Sequence, residues 1–130
     1  MPDPCVFDYA IVRIVPRVER EEFINAGVIL FCRERRYLAA RVRLDRGRLA
    51  AFAPELDAAA VQAHLDLIPL ICAGGRAAGP LGKLSLVERF RWLTSPRSTV
   101  VQVSSVHPGL CPDPAAALDE LAQCVLGEGE

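Results

Sequence analysis

The chain has 130 residues, 52% of them hydrophobic, with a mean hydropathy of +0.24 and a net charge of −1. That is enough apolar chain for one packed domain over 1–130 and excludes a disordered tail, while the near-zero charge leaves only local charge to attract partners. No apolar run approaches the roughly 20 residues needed to cross a bilayer, and Met1-Pro2-Asp3-Pro4 lacks the basic and apolar regions of a leader, so a soluble cytoplasmic protein with no membrane contact is expected.

Residues 6–15 alternate, with Tyr9, Ile11, Arg13 and Val15 on one face and Ala10, Val12 and Ile14 on the other. Both faces are mostly apolar, which predicts an interior strand, and Pro16 ends it. The charged run 17–23 predicts one helical turn. Phe23-Ile24-Asn25-Ala26-Gly27-Val28-Ile29-Leu30-Phe31 follows as the central strand around which the chain is organised. Gly27 inside it predicts a bulge or a close backbone contact. Arg33-Glu34-Arg35-Arg36 turns the chain into 37–45, where Leu38, Ala40, Val42 and Leu44 alternate with Ala39, Arg41 and Arg43. That pattern predicts an antiparallel hairpin partner with one wet, basic face. Asp45-Arg46-Gly47 predicts the next turn.

Pro54-Glu55-Leu56-Asp57 opens a helix whose apolar positions recur at Leu56, Ala60, Val61, Leu65, Ile68 and Cys72. Gly74-Gly75 stops it, and Pro69 predicts a kink or an early end. Residues 73–82, with four glycines and a proline, predict a mobile loop; its Gly-Gly-Arg lacks the Lys-Ser/Thr of a phosphate loop. Ser85-Leu86-Val87-Glu88 is a capping box at the head of a helix over 86–93. Residues 98–106 read as a fourth strand. Asp113-Pro114 and Gly127 bound a last helix striped by Leu118, Leu121, Ala122 and Val125.

The predicted order is βββααβα, an α+β fold with a mainly antiparallel four-stranded sheet and packed helices. Two strands apolar on both faces need cover above and below, from helices or from a second copy, and a homodimer is expected on that ground.

The charges are segregated. Over 33–48 seven arginines stand against two acids, whereas beyond Arg97 there are five acids and no Lys or Arg. Arg41 and Arg43 form a basic face that either meets the acidic C-terminal helix or attracts an acidic partner or phosphate. Phosphate tracking needs only positive charge along a path, but aromatics are 6% of the chain and no stacking pair stands on that face, which argues against nucleic acid.

The five cysteines, no two closer than 13 positions, form no C-x-x-C, and neither His64 nor His107 has a partner at ligand spacing. No disulfide framework, metal or cofactor is expected. Ser105, His107 and Asp113 lack the strained G-x-S-x-G turn that exposes a nucleophile. Polar residues that packing does not require gather in three places: Arg13 with Asn25; Arg97 with Ser98; and 104–109, where His107 precedes a predicted Pro-Gly turn. A continuous strand would hold Ser98 about 30 Å from His107.

Tyr9-Ala-Ile-Val-Arg-Ile-Val-Pro, Glu22-Phe-Ile-Asn-Ala-Gly-Val-Ile-Leu-Phe, Pro96-Arg-Ser-Thr-Val-Val-Gln and His107-Pro-Gly followed by Asp113-Pro occur in that order. Together they resemble the DUF3037 family of bacterial proteins, over about residues 9–121. The positions that carry the resemblance include Arg13, Asn25, Gly27, Arg97, Ser98 and His107. That family has no assigned activity, so the resemblance implies no catalytic residue. Its members are often encoded beside a HipA-like kinase protein, which implies an accessory role with that protein as partner. Two functions are therefore expected in turn, ahead of a third, weak nucleic-acid binding through the basic strand face. The first is a non-enzymatic domain binding a protein partner through the basic face and the Arg97 and His107 loops. The second is a small enzyme or ligand-binding domain for a phosphorylated or nucleotide substrate, in which Arg13, Asn25, Arg97 and Ser98 converge on one pocket.

Overall fold

Val28, Ile29, Leu30, Phe31 and Cys32 are apolar in succession, and such a run settles only where both faces of a strand are dry. In the computed structural model, which describes residues 3–97 and 99–127, it forms the second half of β2 (Ile24–Cys32), beside β1 (Cys5–Ile14). β3 (Tyr37–Val42) returns along the outer side of β2, while β4 (Val101–Val103) and β5 (His107–Cys111) both pair with the other side of β1. Every pairing is antiparallel.

The sheet thus has five strands where four were expected, because the strand predicted over 98–106 is broken. Val12 opposes Val103 and Tyr9 opposes His107, so three residues, 104–106, face the two residues Ala10 and Ile11. Ser104 spans the break. Its N–H donates to the Ile11 carbonyl at 2.9 Å, and its hydroxyl accepts from the Ile11 N–H at 2.8 Å while donating to the Ser105 carbonyl. His107-Pro108-Gly109 is consequently no turn but the start of β5, and Pro108 is tolerated there because an edge strand needs no donor on its outer side.

A second irregularity lies in β2. Arg13 opposes Asn25 and Val12 opposes Gly27, which leaves Ala26 unpaired as a one-residue bulge. Gly27 is also a close approach: a Cβ there would fall 2.6 Å from the Arg41 carbonyl oxygen and 2.9 Å from Cγ1 of Val42. The Ala26 carbonyl accepts from the Arg43 N–H at 2.8 Å, which fixes where the chain leaves β3.

Four helices pack on the sheet. α1 (Arg46–Phe52) stands where a turn was expected: Asp45 caps it by accepting from the Arg48 N–H at 3.0 Å, and Leu49 anchors it in the core. α2 (Ala58–Ala73) begins at Asp57, which accepts from the Ala59 and Ala60 N–H groups. It does not stop early at Pro69. Val61, Leu65, Ile68, Ile71 and Cys72 are buried on both sides of the proline, and that burial offsets the lost hydrogen bond. Residues expected as a mobile loop form 3-10 turns over Arg76–Lys83. α3 (Leu86–Thr94) carries the predicted capping box, with both of its hydrogen bonds present. α4 (Pro114–Leu126) starts at the Asp113 cap and ends at Gly127 in the left-handed region.

α1, α2 and α3 close one face of the sheet, where Val12, Ile14, Ile29 and Phe31 meet Leu49, Leu65, Phe90 and Leu93. α4 lies on the other, where Cys5, Phe7, Val28, Leu30 and Cys32 meet Leu118. One copy covers β2 on both faces and β1 on the side of α1, α2 and α3, while β1 is only partly covered on the side of α4.

Candidate functional site

Alternation along a strand and opposition across the ladder decide which side chains meet. Asn25 opposes Arg13, and Arg13 opposes Gln102, so these three form a polar row across β2, β1 and β4. The row lies on the α4 side, since Tyr9, Ile11 and Arg13 alternate with Val12 and Ile14 of the other core. Further along the same face, Tyr9 opposes His107, their ring centroids 5.4 Å apart. α4 sits over β2 and β3 and leaves the β1 to β5 side half covered. Arg13 rests its guanidinium 4.1 Å over the Phe23 ring, a cation–π contact, while its Nε is buried with no hydrogen-bond partner among the described residues. Phe23 is 41% exposed. The result is a platform of aromatic rings, one half-buried cation and a histidine.

Arg97 does not join it. Its guanidinium stacks 4.0 Å over Trp92 and donates to the Trp92 carbonyl. It borders a small depression with His64, Leu67, Ile68, Val101 and Val103 on the side of the sheet that carries α2 and α3. Partial burial there pulls the guanidinium below its ordinary value. Arg13 and Asn25 therefore share one face, Arg97 occupies the opposite one, and the geometry gives no single pocket that unites them. Ser98 lies outside the described residues. His107 is exposed at the start of β5 rather than in a loop.

The basic face divides. Arg41 forms an ion pair with Asp119 of α4, so at this point the acidic helix answers the arginines, as one of the two sequence readings had it. Both side chains are about half exposed, and such a pair contributes little stability. Arg35 is tied to the carbonyls of Asp3 and Pro112. Arg43 goes elsewhere: it lines a cleft of about 380 Å³ with Asn25, Arg48 and the last turn of α4. Asn25 thus stands between the platform and the cleft, displaced toward both by the Ala26 bulge.

Three groups escaped the sequence reading. Arg48 belongs to the unexpected α1; its signal was the Asp45 cap. Arg89 lies within the α3 stripe of Leu86, Phe90 and Leu93, is only 9% exposed, and donates to the carbonyls of Leu84 and Cys72. It clamps the end of α2 to the start of α3, where the negative helix terminus favours a cation. Burial pushes the neighbouring Cys72 thiol up to about 12, against the opposing pull of Arg89, and keeps it protonated and inert. Finally, Cys5 touches both Cys32, at 3.3 Å between sulfurs, and Cys111, at 4.0 Å. Cys5 and Cys111 oppose each other across β1 and β5, 106 positions apart in sequence, a proximity that only the fold creates. Burial raises the Cys32 thiol as well.

Among the described residues no group of three His, Cys, Asp or Glu is placed to hold a metal ion. No single helix is long and apolar enough to cross a membrane. A family model described as a protein of unknown function, DUF3037, matches residues 9–126. No curated protein and no solved structure matches the chain.

Proposed function

The chain belongs to the DUF3037 family, and from that premise we propose that it is a non-catalytic accessory domain of the bacterial cytoplasm that binds a protein partner, a HipA-like kinase protein being the one the family resemblance implies. The observation that supports this is the half-covered sheet face beside α4. There Tyr9, Phe23 and His107 present rings, and Arg13 is held flat over Phe23. Aromatic residues and arginine are the types that dominate interface energetics, and an arginine pre-stacked on a ring loses little side-chain freedom on docking.

The test is co-expression of the chain with the HipA-like kinase protein of the same host, followed by titration of the purified pair. Phe23→Asp and Arg13→Ala should each weaken the complex about thirtyfold, the size of a hot-spot loss of about 2 kcal/mol. Absence of a complex, or one that both variants leave unchanged, would overturn the reading. Self-association abolished by the same two variants would reassign the surface to a homodimer.

A further inference from the structure

We propose that the cleft between the head of α1 and the last turn of α4 binds a small organic phosphate, a phosphomonoester with an apolar body. This concerns a different surface from the accessory role and stands independently of it. At about 380 Å³ the cleft falls within the range of small-molecule sites. Asn25, Arg43 and Arg48 line it, together with the half-buried Leu44, Val125 and Leu126.

Both arginines are set in place by backbone contacts. The Arg43 N–H is held by the carbonyl of the Ala26 bulge, and the Arg48 N–H by the Asp45 carboxylate that caps α1. Among the described residues neither guanidinium has an ion pair. Asp45 is the one carboxylate among the described lining residues, and it is engaged by that cap. Among the described lining residues two cationic forks and a carboxamide therefore stand against the single carboxylate of Asp45, which leaves an excess of positive charge. A phosphoryl dianion supplies the missing charge and accepts the paired N–H donors that guanidinium presents. The carbonyl end of α4 closes one side and carries partial negative charge, so the anionic head is confined to the arginine wall. Contact with Leu44, Val125 and Leu126 favours a ligand with a hydrocarbon body over free phosphate.

Cys124 supplies a built-in reporter, since it borders the cleft and is the one exposed thiol of the five. Phenyl phosphate, inorganic phosphate and phenol are titrated calorimetrically into the full chain, and iodoacetamide alkylation of Cys124 is followed with and without phenyl phosphate. Phenyl phosphate should bind saturably, more tightly than inorganic phosphate, with no heat from phenol, and should slow alkylation. Binding should strengthen as pH rises through about 6, where the phosphoryl group becomes dianionic. Arg43→Ala and Arg48→Ala should each weaken it about tenfold or more and remove the protection, with unchanged thermal melts, whereas Arg97→Ala on the opposite face should change nothing. No binding of phenyl phosphate below ~10 mM, or equal binding by the two arginine variants, overturns the site. Inorganic phosphate binding as tightly as phenyl phosphate overturns the organic body.

Discussion

The two faces of the sheet share the same central strands and end differently. On one, three helices bury Val12, Ile14 and Ile29 completely; on the other, α4 alone buries Val28 and Leu30 but leaves Tyr9 and Ile11 partly open. The difference follows from dimensions. A helix is about 10 Å wide and strands lie about 4.8 Å apart, so one helix roofs two strands of a sheet four columns across. Strand composition alone does not decide closure: Ile11 is as apolar as Val12, and only the number of helices on its side separates them.

The sharpest break of this contrast would be a pair of truncations. Leu65→Ala, on the buried side of α2, should cost about 2–5 kcal/mol in urea unfolding, while Phe23→Ala on the open platform should cost less than about 1 kcal/mol. Equal losses would mean that the platform is part of the stabilising core. Ser104→Ala sits between these extremes. It strips the Ile11 N–H of its acceptor at the strand break and should cost about 1–3 kcal/mol, a loss that Ser104→Thr should largely restore. If alanine is neutral, β1 and the broken edge are held by packing alone. The smallest effect lies on the outer surface of the closed side. Hydrogen bonds from Ser85 hold Glu88 below its ordinary value of 4.5. Its stabilising contribution is therefore complete above that value and lost as pH falls through the lowered native one. Thermal melts taken downward from about pH 5 should show this loss in the wild type and a flatter profile in Glu88→Gln.

Much of the closed side was legible because local chemistry and tertiary packing agree there. Asp57, Ser85 and Asp113 each cap the helix they announce, and Val28 to Cys32 lie where an unbroken apolar run must lie. The misreadings come from places where one local signal has two outcomes. Asp45-Arg46-Gly47 fits a turn as well as a helix start, and the helix it opens has one buried residue, Leu49, too few for a period to show. Pro69 argues against helix on its own, yet the flanking core residues overrule it. The strand break at Ser104 is a side-chain substitution for a ladder bond, invisible without the partner Ile11. The same holds for function. Arg13, Asn25 and Arg43 were recognisable as polar residues without packing duties, but the assortment of Asn25 with Arg43 and Arg48, and of Arg97 with Trp92, depends on the bulge and on which face each strand end presents.

The interrupted column of β4 and β5 bears on behaviour in a crowded solution. A sheet margin becomes a template for fibre growth when it is long, straight and supplied with unbroken donors and acceptors. Here three residues of β4 and five of β5 are offset by a jog, and Pro108 withholds a donor from the longer piece. The molecule can leave part of one sheet face open beside this margin without inviting strand-by-strand polymerisation.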